Sequence, residues 1–129
     1  MKGLDVALLL ALGAVIWILG TVHYAKHGPA ILETTSSRYW SEFVLSPVIS
    51  AVLTIVILRW RHIPAAHWAS AMLLLALPGM IGEALVLSNL STFMPKLHEA
   101  SGGRYGAFLF AAYALALGVA EVITLRATP

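Results

Sequence analysis

Four long apolar runs constrain this chain more than anything else in it. They cover about residues 4–24, 40–58, 68–90 and 105–125, and together they take up most of the 129 residues. A single helix needs roughly 20 mostly apolar residues to cross the hydrocarbon of a bilayer, so each run is long enough to span and little remains for a soluble domain. In hydrocarbon every backbone polar group must be paired within the protein. A helix achieves this inside one segment, whereas a barrel would need short alternating strands, which these continuous runs are not. The composition agrees: 60% of residues are hydrophobic, mean hydropathy is +0.87 and only 11% are charged, against about a quarter charged in a soluble domain. The expectation is an all-α, polytopic membrane protein, a four-helix transmembrane bundle forming one domain over residues 1–129. The first run follows Lys2 and resembles a signal peptide in that respect. Its length, and the absence of a clear small-x-small cleavage site after it, favour a retained span.

The chain also carries an internal echo. Pro29, Glu33, Arg38 and Tyr39 correspond to Pro95, Glu99, Arg104 and Tyr105, each pair 66 positions apart, and at the same offset Gly13 meets Gly79 and Leu19 meets Leu85. Pro, Glu, Arg and Tyr are not the filler residues of this sequence, so the cluster points to a duplicated helical hairpin. Repeat 1 would cover about residues 1–63 and repeat 2 about 64–129. Each would hold a helix, a longer loop (about 25–38 and 91–104) and a second helix. Two helices per copy keep both copies in the same orientation, related by an axis along the membrane normal. The two hairpins would be joined by the basic turn Arg59-Trp60-Arg61-His62-Ile63-Pro64, with Pro64 opening the third helix.

Charge and cysteine content exclude several function classes. Eight basic residues against six acidic ones, scattered at helix ends, make no nucleic-acid footprint. They read as topology signals, although Lys2, Arg59, Arg61 and Arg126 on one side balance Lys26, Arg38, Lys96 and Arg104 on the other. The short, charge-dense middle turn tips the choice. The expectation is a multi-pass cell (inner) membrane protein with both termini and the middle turn in the cytoplasm. With no cysteine there are no disulfides, thiolate metal sites or thiol redox chemistry. No cofactor or metal motif appears. His23, His27 and His98 fall near the outer face and His62 and His67 near the inner one, so the five do not gather as one ligand set, and a shared outer metal site at His23, His27 and His98 has no second-shell signal in the sequence to support it.

Glu83 is the most pointed candidate for chemistry. It lies deep in the third run, and helical spacing places Ala76, Gly79 and Glu83 on one face. Small residues allow close helix approach, so this face should turn toward the bundle. An intramembrane carboxyl is either a proton or cation site or a hydrogen-bonded acid that holds helices together. The neighbouring Pro78 removes a backbone hydrogen bond, and Pro-Gly next to an acid resembles the discontinuous helices of transporters. His23, at similar depth, would either relay protons with Glu83 or face water at its helix end. Glu121, on the Ala114–Gly118–Glu121 face of the last helix, would either pair with Arg59 or mark a helix interface.

The loop charges Glu33, Arg38, Glu99 and Arg104 would form a charged outer mouth, with crossed Glu33–Arg104 and Glu99–Arg38 pairs. Alternatively the Arg-Tyr pairs are headgroup anchors at the start of each descending helix. Trp40, Trp60 and Trp68 read as interfacial anchors, and Trp17, which lies deeper, as packing. The last helix is rich in small residues (Ala107, Ala111, Ala112, Ala116, Gly118, Ala120) that would serve the bundle or a homodimer.

Pro78-Gly79-Met80-Ile81-Gly82-Glu83-Ala84-Leu85, Ser88-Asn89-Leu90-Ser91 and Gly102-Gly103-Arg104-Tyr105-Gly106 resemble a family of small bacterial four-span membrane proteins of unknown function. The resemblance implies four spans over nearly the whole chain and brings no activity with it. From the residues themselves, the leading expectation is a proton- or cation-linked transporter or permeation unit built around Glu83, not an enzyme, since no nucleophile–base set is present. The alternative is a non-catalytic scaffold or accessory subunit. Lipid is the one partner that composition requires.

Overall fold

A computed structural model describes residues 3–32, 36–96 and 102–127. It is all-helical over those residues: α1 Gly3–Leu32, α2 Ser36–Trp60, a short 3-10 turn Ala65–His67, α3 Trp68–Ser88, the one-turn α4 Leu90–Phe93 and α5 Gly102–Ala127. Four segments are long and apolar enough to cross a membrane, Gly3–His27, Ser37–Trp60, Ala65–Ser88 and Gly102–Ala127; the first, second and fourth extend a few residues beyond their apolar runs, and the third is about as long as its run.

Two expectations about loops and breaks are corrected. The stretch taken as the first long loop is mostly helix, because α1 continues to Leu32 and α2 starts at Ser36. Pro29 is carried inside α1, whereas its counterpart Pro95 sits in a turn after α4, so the two loop copies are not folded alike over the described residues. Helix α3 likewise runs unbroken through Pro78. A proline removes one helical hydrogen bond, and the neighbouring bonds suffice to carry the helix past it.

The middle turn closes α2 with a compact cap. His62 adopts a left-handed backbone (φ 53°), its N–H donates to the Arg59 carbonyl at 3.0 Å, and the Ile63 N–H donates to Leu58 at 3.1 Å. This is the Schellman arrangement with histidine where glycine is usual. Its apolar contact is present too, since Leu58 and Ile63 share one buried cluster.

Side chains from distant segments then fix this end. Arg61 donates to Asp5 on α1 (Nη2 to Oδ1 2.7 Å), and the Thr124 hydroxyl on α5 accepts from the Ala69 N–H at 2.9 Å, satisfying one of the donors that open α3. Trp68, expected as an interfacial anchor, is buried instead and donates its indole N–H to the Ile63 carbonyl at 2.9 Å. Trp40 and Trp60 are exposed, as anchors should be.

Helix α1 packs chiefly on α3, α2 chiefly on α5, and α3 also on α5, while α1 and α2 barely touch. The closest crossing is at Gly13. A Cβ there would run into the backbone carbonyl of Leu75, so only glycine lets α1 approach α3 so nearly. The bundle is filled at both ends by separate clusters. One gathers around Leu9, Leu58, Trp68, Met72, Leu75 and Ala120. The other gathers around Tyr39, Val86, Leu90, Met94, Tyr105 and Phe108. Between them the bundle is hollow.

Candidate functional site

The hollow is a cavity of about 150 Å³ walled by all four spanning helices. Its α1 wall is Gly13, Ile16, Trp17, Gly20 and Tyr24, and its α3 wall Met72, Leu75, Ala76, Gly79 and Glu83. Both sets repeat at three- and four-residue steps, which is one face of a helix. Ser46, Ser50 and Thr54 contribute a hydroxyl stripe from α2, and Phe108, Ala112 and Tyr113 stand among the residues from α5.

Glu83 is buried to 7% exposure and lies in the cavity wall, on the face that the spacing of Ala76, Gly79 and Glu83 predicts. Its partner is Tyr105, whose hydroxyl donates to Glu83 Oε2 at 2.9 Å. Tyr105 was expected at the headgroups, as was Tyr39. Both are buried, Tyr105 completely. A buried tyrosine needs somewhere to spend its hydroxyl, and an intramembrane acid needs a donor. That complementarity was the available signal, and reading Tyr105 only as a helix-start anchor concealed it. The ring is held by its neighbours: Tyr24 meets Tyr105 edge-on at 5.3 Å, and Phe108 stands against Tyr24, Tyr39 and Phe43.

Glycines shape the remaining walls. The Trp17 indole lies directly against Gly82, and the Tyr113 hydroxyl against Gly79, where any added Cβ would collide. The Pro-Gly-Met-Ile-Gly-Glu stretch therefore makes room for two aromatic side chains next to the acid, and it does so without breaking the helix. On α2, the Thr54 hydroxyl donates to the Ser50 and Ala51 carbonyls at 3.0 and 2.9 Å. Trp17 Nε1 and Thr21 Oγ1 are buried with no hydrogen-bond partner among the described residues.

The other candidate residues lie apart from this site. His23 is exposed, its ring against Tyr24 and His27 at 5.5 and 5.3 Å, and it does not line the cavity. Glu121 is exposed together with Ala114 and Gly118, so that face of α5 turns outward and not into the bundle. Among the described residues Glu121 makes no ion pair with Arg59; the ion pair at the middle-turn end is Arg61–Asp5. Glu33, Glu99 and His98 lie outside the described residues, and with them both crossed pairs of the outer mouth. Arg104 places its guanidinium 4.5 Å from the Tyr39 ring centre, a cation–π contact between α5 and α2 that joins the two hairpins. Arg38 is exposed at the start of α2. Among the described residues no three His, Asp or Glu side chains converge as a metal would require.

No curated protein and no solved structure matches the chain. A family match runs over residues 31–127, from the end of α1 to the end of α5. It includes Glu83, Tyr105, Tyr113 and the hydroxyl stripe, and it leaves out Trp17 and most of α1. Since that match covers well over half of the chain, this small four-span protein belongs to the family of unknown function DUF5367.

Proposed function

We propose that this chain is a small membrane carrier or permeation unit in which Glu83 holds an exchangeable proton or cation. The observation that carries the reading is a carboxyl at 7% exposure that faces a cavity and has, among the described residues, one side-chain donor, Tyr105. A carboxyl kept only for packing has no need of a chamber in front of it. In this reading a proton leaves Glu83 as a cation arrives, so the carboxyl carries one positive charge or the other. Both termini and the middle turn are placed in the cytoplasm of a cell-membrane protein, with Glu83 in the outer half. The exposed Ala114 and Gly118 face of α5 would serve a second copy of the chain.

The 66-residue echo in the sequence fits the same reading. At the 66-residue offset, Gly13 matches Gly79, Trp17 matches Glu83, Ser46 matches Ala112 and Ser50 matches Ala116, and all eight line the cavity. We infer that two copies of one hairpin turned the same faces inward and then diverged chemically, with the acid retained in only one.

The test is flux in proteoliposomes under an imposed pH gradient, read with an internal pH dye. The wild type should move protons in a gradient-dependent way, and Glu83→Gln should abolish this while eluting and melting as a folded protein. A second reading, a scaffold in which the Tyr105–Glu83 bond simply ties α5 to α3, is favoured by that bond being well formed. It predicts no flux in the wild type, or flux indifferent to Glu83→Gln, with a change in stability alone. Either result would remove the carrier reading.

A further inference from the structure

The cavity has a chemistry more specific than a bare proton requires. We propose that it binds a small monovalent organic cation, a quaternary ammonium or protonated amine of about six heavy atoms. This rests on the reading of Glu83 as the exchangeable acid and deepens it by naming the class of guest.

Size sets the first limit. An apolar cavity of about 150 Å³ is of the order that accepts a benzene-sized guest, which admits tetramethylammonium or choline and excludes bulky multi-ring cations. Charge sets the second. Among the described residues one carboxyl lines the chamber and no Lys, Arg or His does, so the chamber favours a cation and opposes an anion.

The walls set the third. Trp17 and Tyr24 from α1 and Phe108 and Tyr113 from α5 bring four aromatic side chains to one small space, and aromatic surfaces attract ammonium groups, above all when water is excluded. An inorganic cation would instead need several oxygens to replace its hydration shell. Here most of the lining residues are apolar or aromatic, and few oxygens stand among them. A methylated ammonium carries little hydration to lose and matches rings better than hydroxyls. Access is simplest between α1 and α2, the pair of neighbouring helices that hardly touch, where Gly20 and Ser50 keep side chains small.

The experiment is isothermal titration calorimetry on the full-length protein in detergent micelles. The probes are tetramethylammonium, choline, the neutral isostere of choline with carbon in place of nitrogen, and tetrapropylammonium. The first two should bind, and repeating the titrations in buffers of different ionisation heat should reveal up to one proton released per cation. The neutral isostere should bind roughly tenfold more weakly or worse, and tetrapropylammonium should not fit.

Glu83→Gln should remove cation binding and proton release together. Tyr113→Leu should weaken binding roughly tenfold while Tyr113→Phe, which keeps the ring, should retain it; this pair decides the matter even if Glu83→Gln fails to fold. Equal binding of the neutral isostere, or no binding of either small cation, would overturn the proposal. Glu83-dependent proton flux would in that case leave the carrier reading standing. Cation binding without any flux would do the reverse.

Discussion

The two hairpins of this bundle are alike in length and apolar content and unlike in what they do. In the second, α3 and α5 pack against each other, and α3 is the central helix, with 44% of its span buried. In the first, α1 and α2 barely meet, and 11% and 17% of their spans are buried, α5 sharing the 17% of α2, so that burial singles out α3 alone. Hydrophobicity cannot have made that choice, because lipid tails are as apolar as the helices themselves. What distinguishes α3 is steric and polar: Gly79 and Gly82 admit the side chains of neighbouring helices, and Glu83 gives Tyr105 a partner. The second hairpin is therefore held by specific contacts along its length. The first is hung on it, α1 through Gly13 and α2 through α5, and the space left between them is the cavity.

If that contrast is right, the largest effect should come from the point where the first hairpin is hung. Gly13→Ala drives a methyl into the Leu75 backbone and should destabilise the bundle by about 3 kcal/mol, the upper range for overpacking. Gly20→Ala on the same helix meets nothing within 4 Å and should be close to neutral. Thermal unfolding in detergent would show the difference, and similar melting temperatures for the two variants would refute a unique crossing point.

A smaller effect tests the polar contact within the second hairpin. Tyr105→Phe strips the donor from a buried carboxyl and should cost about 1–2 kcal/mol. Tyr39→Phe, at the matching position in the first hairpin, should cost much less by the same assay. Equal losses would mean that the two tyrosines do equivalent work and that the hairpins are less different than their packing implies.

Weaker still is the ion pair that ties α1 to the middle turn. Asp5→Asn should lower stability by no more than about 1 kcal/mol, since the pair is partly exposed, and the loss should shrink at high salt. Smallest of all, Arg104→Gln removes the guanidinium from the Tyr39 ring and should cost about 0.5 kcal/mol. A loss above that of Tyr105→Phe would move the main link between the two halves from the buried acid to the Arg104–Tyr39 contact.

Several features were legible before any coordinates. Four spans followed from run length, since the bilayer fixes how many apolar residues a helix needs. The inward face of α3 followed from three residues at helical spacing, Ala76, Gly79 and Glu83. Other features were misread for a common reason. Tyr105, Tyr39 and Trp68 stand at helix ends, where aromatic residues usually meet headgroups, and all three are buried. The small residues of α5 left open whether the Ala114–Gly118–Glu121 face serves the bundle or a second copy, and in the fold it turns outward. A single helix shows which residues share a face, but not whether that face meets lipid or a neighbour.

The sequence by itself determined that lipid is the solvent, that helices are the only way for this chain to cross it, and that one acid would have to be sheltered. Those results depend on spacing and on the cost of unpaired polar groups, which act along a single segment. Only the tertiary structure decided which helix became central, that Tyr105 and not His23 shelters Glu83, and that the four helices leave a cavity between them. Such outcomes depend on how side chains 20 to 60 positions apart fit against one another. In a membrane that fit, more than the expulsion of water, decides which helices meet.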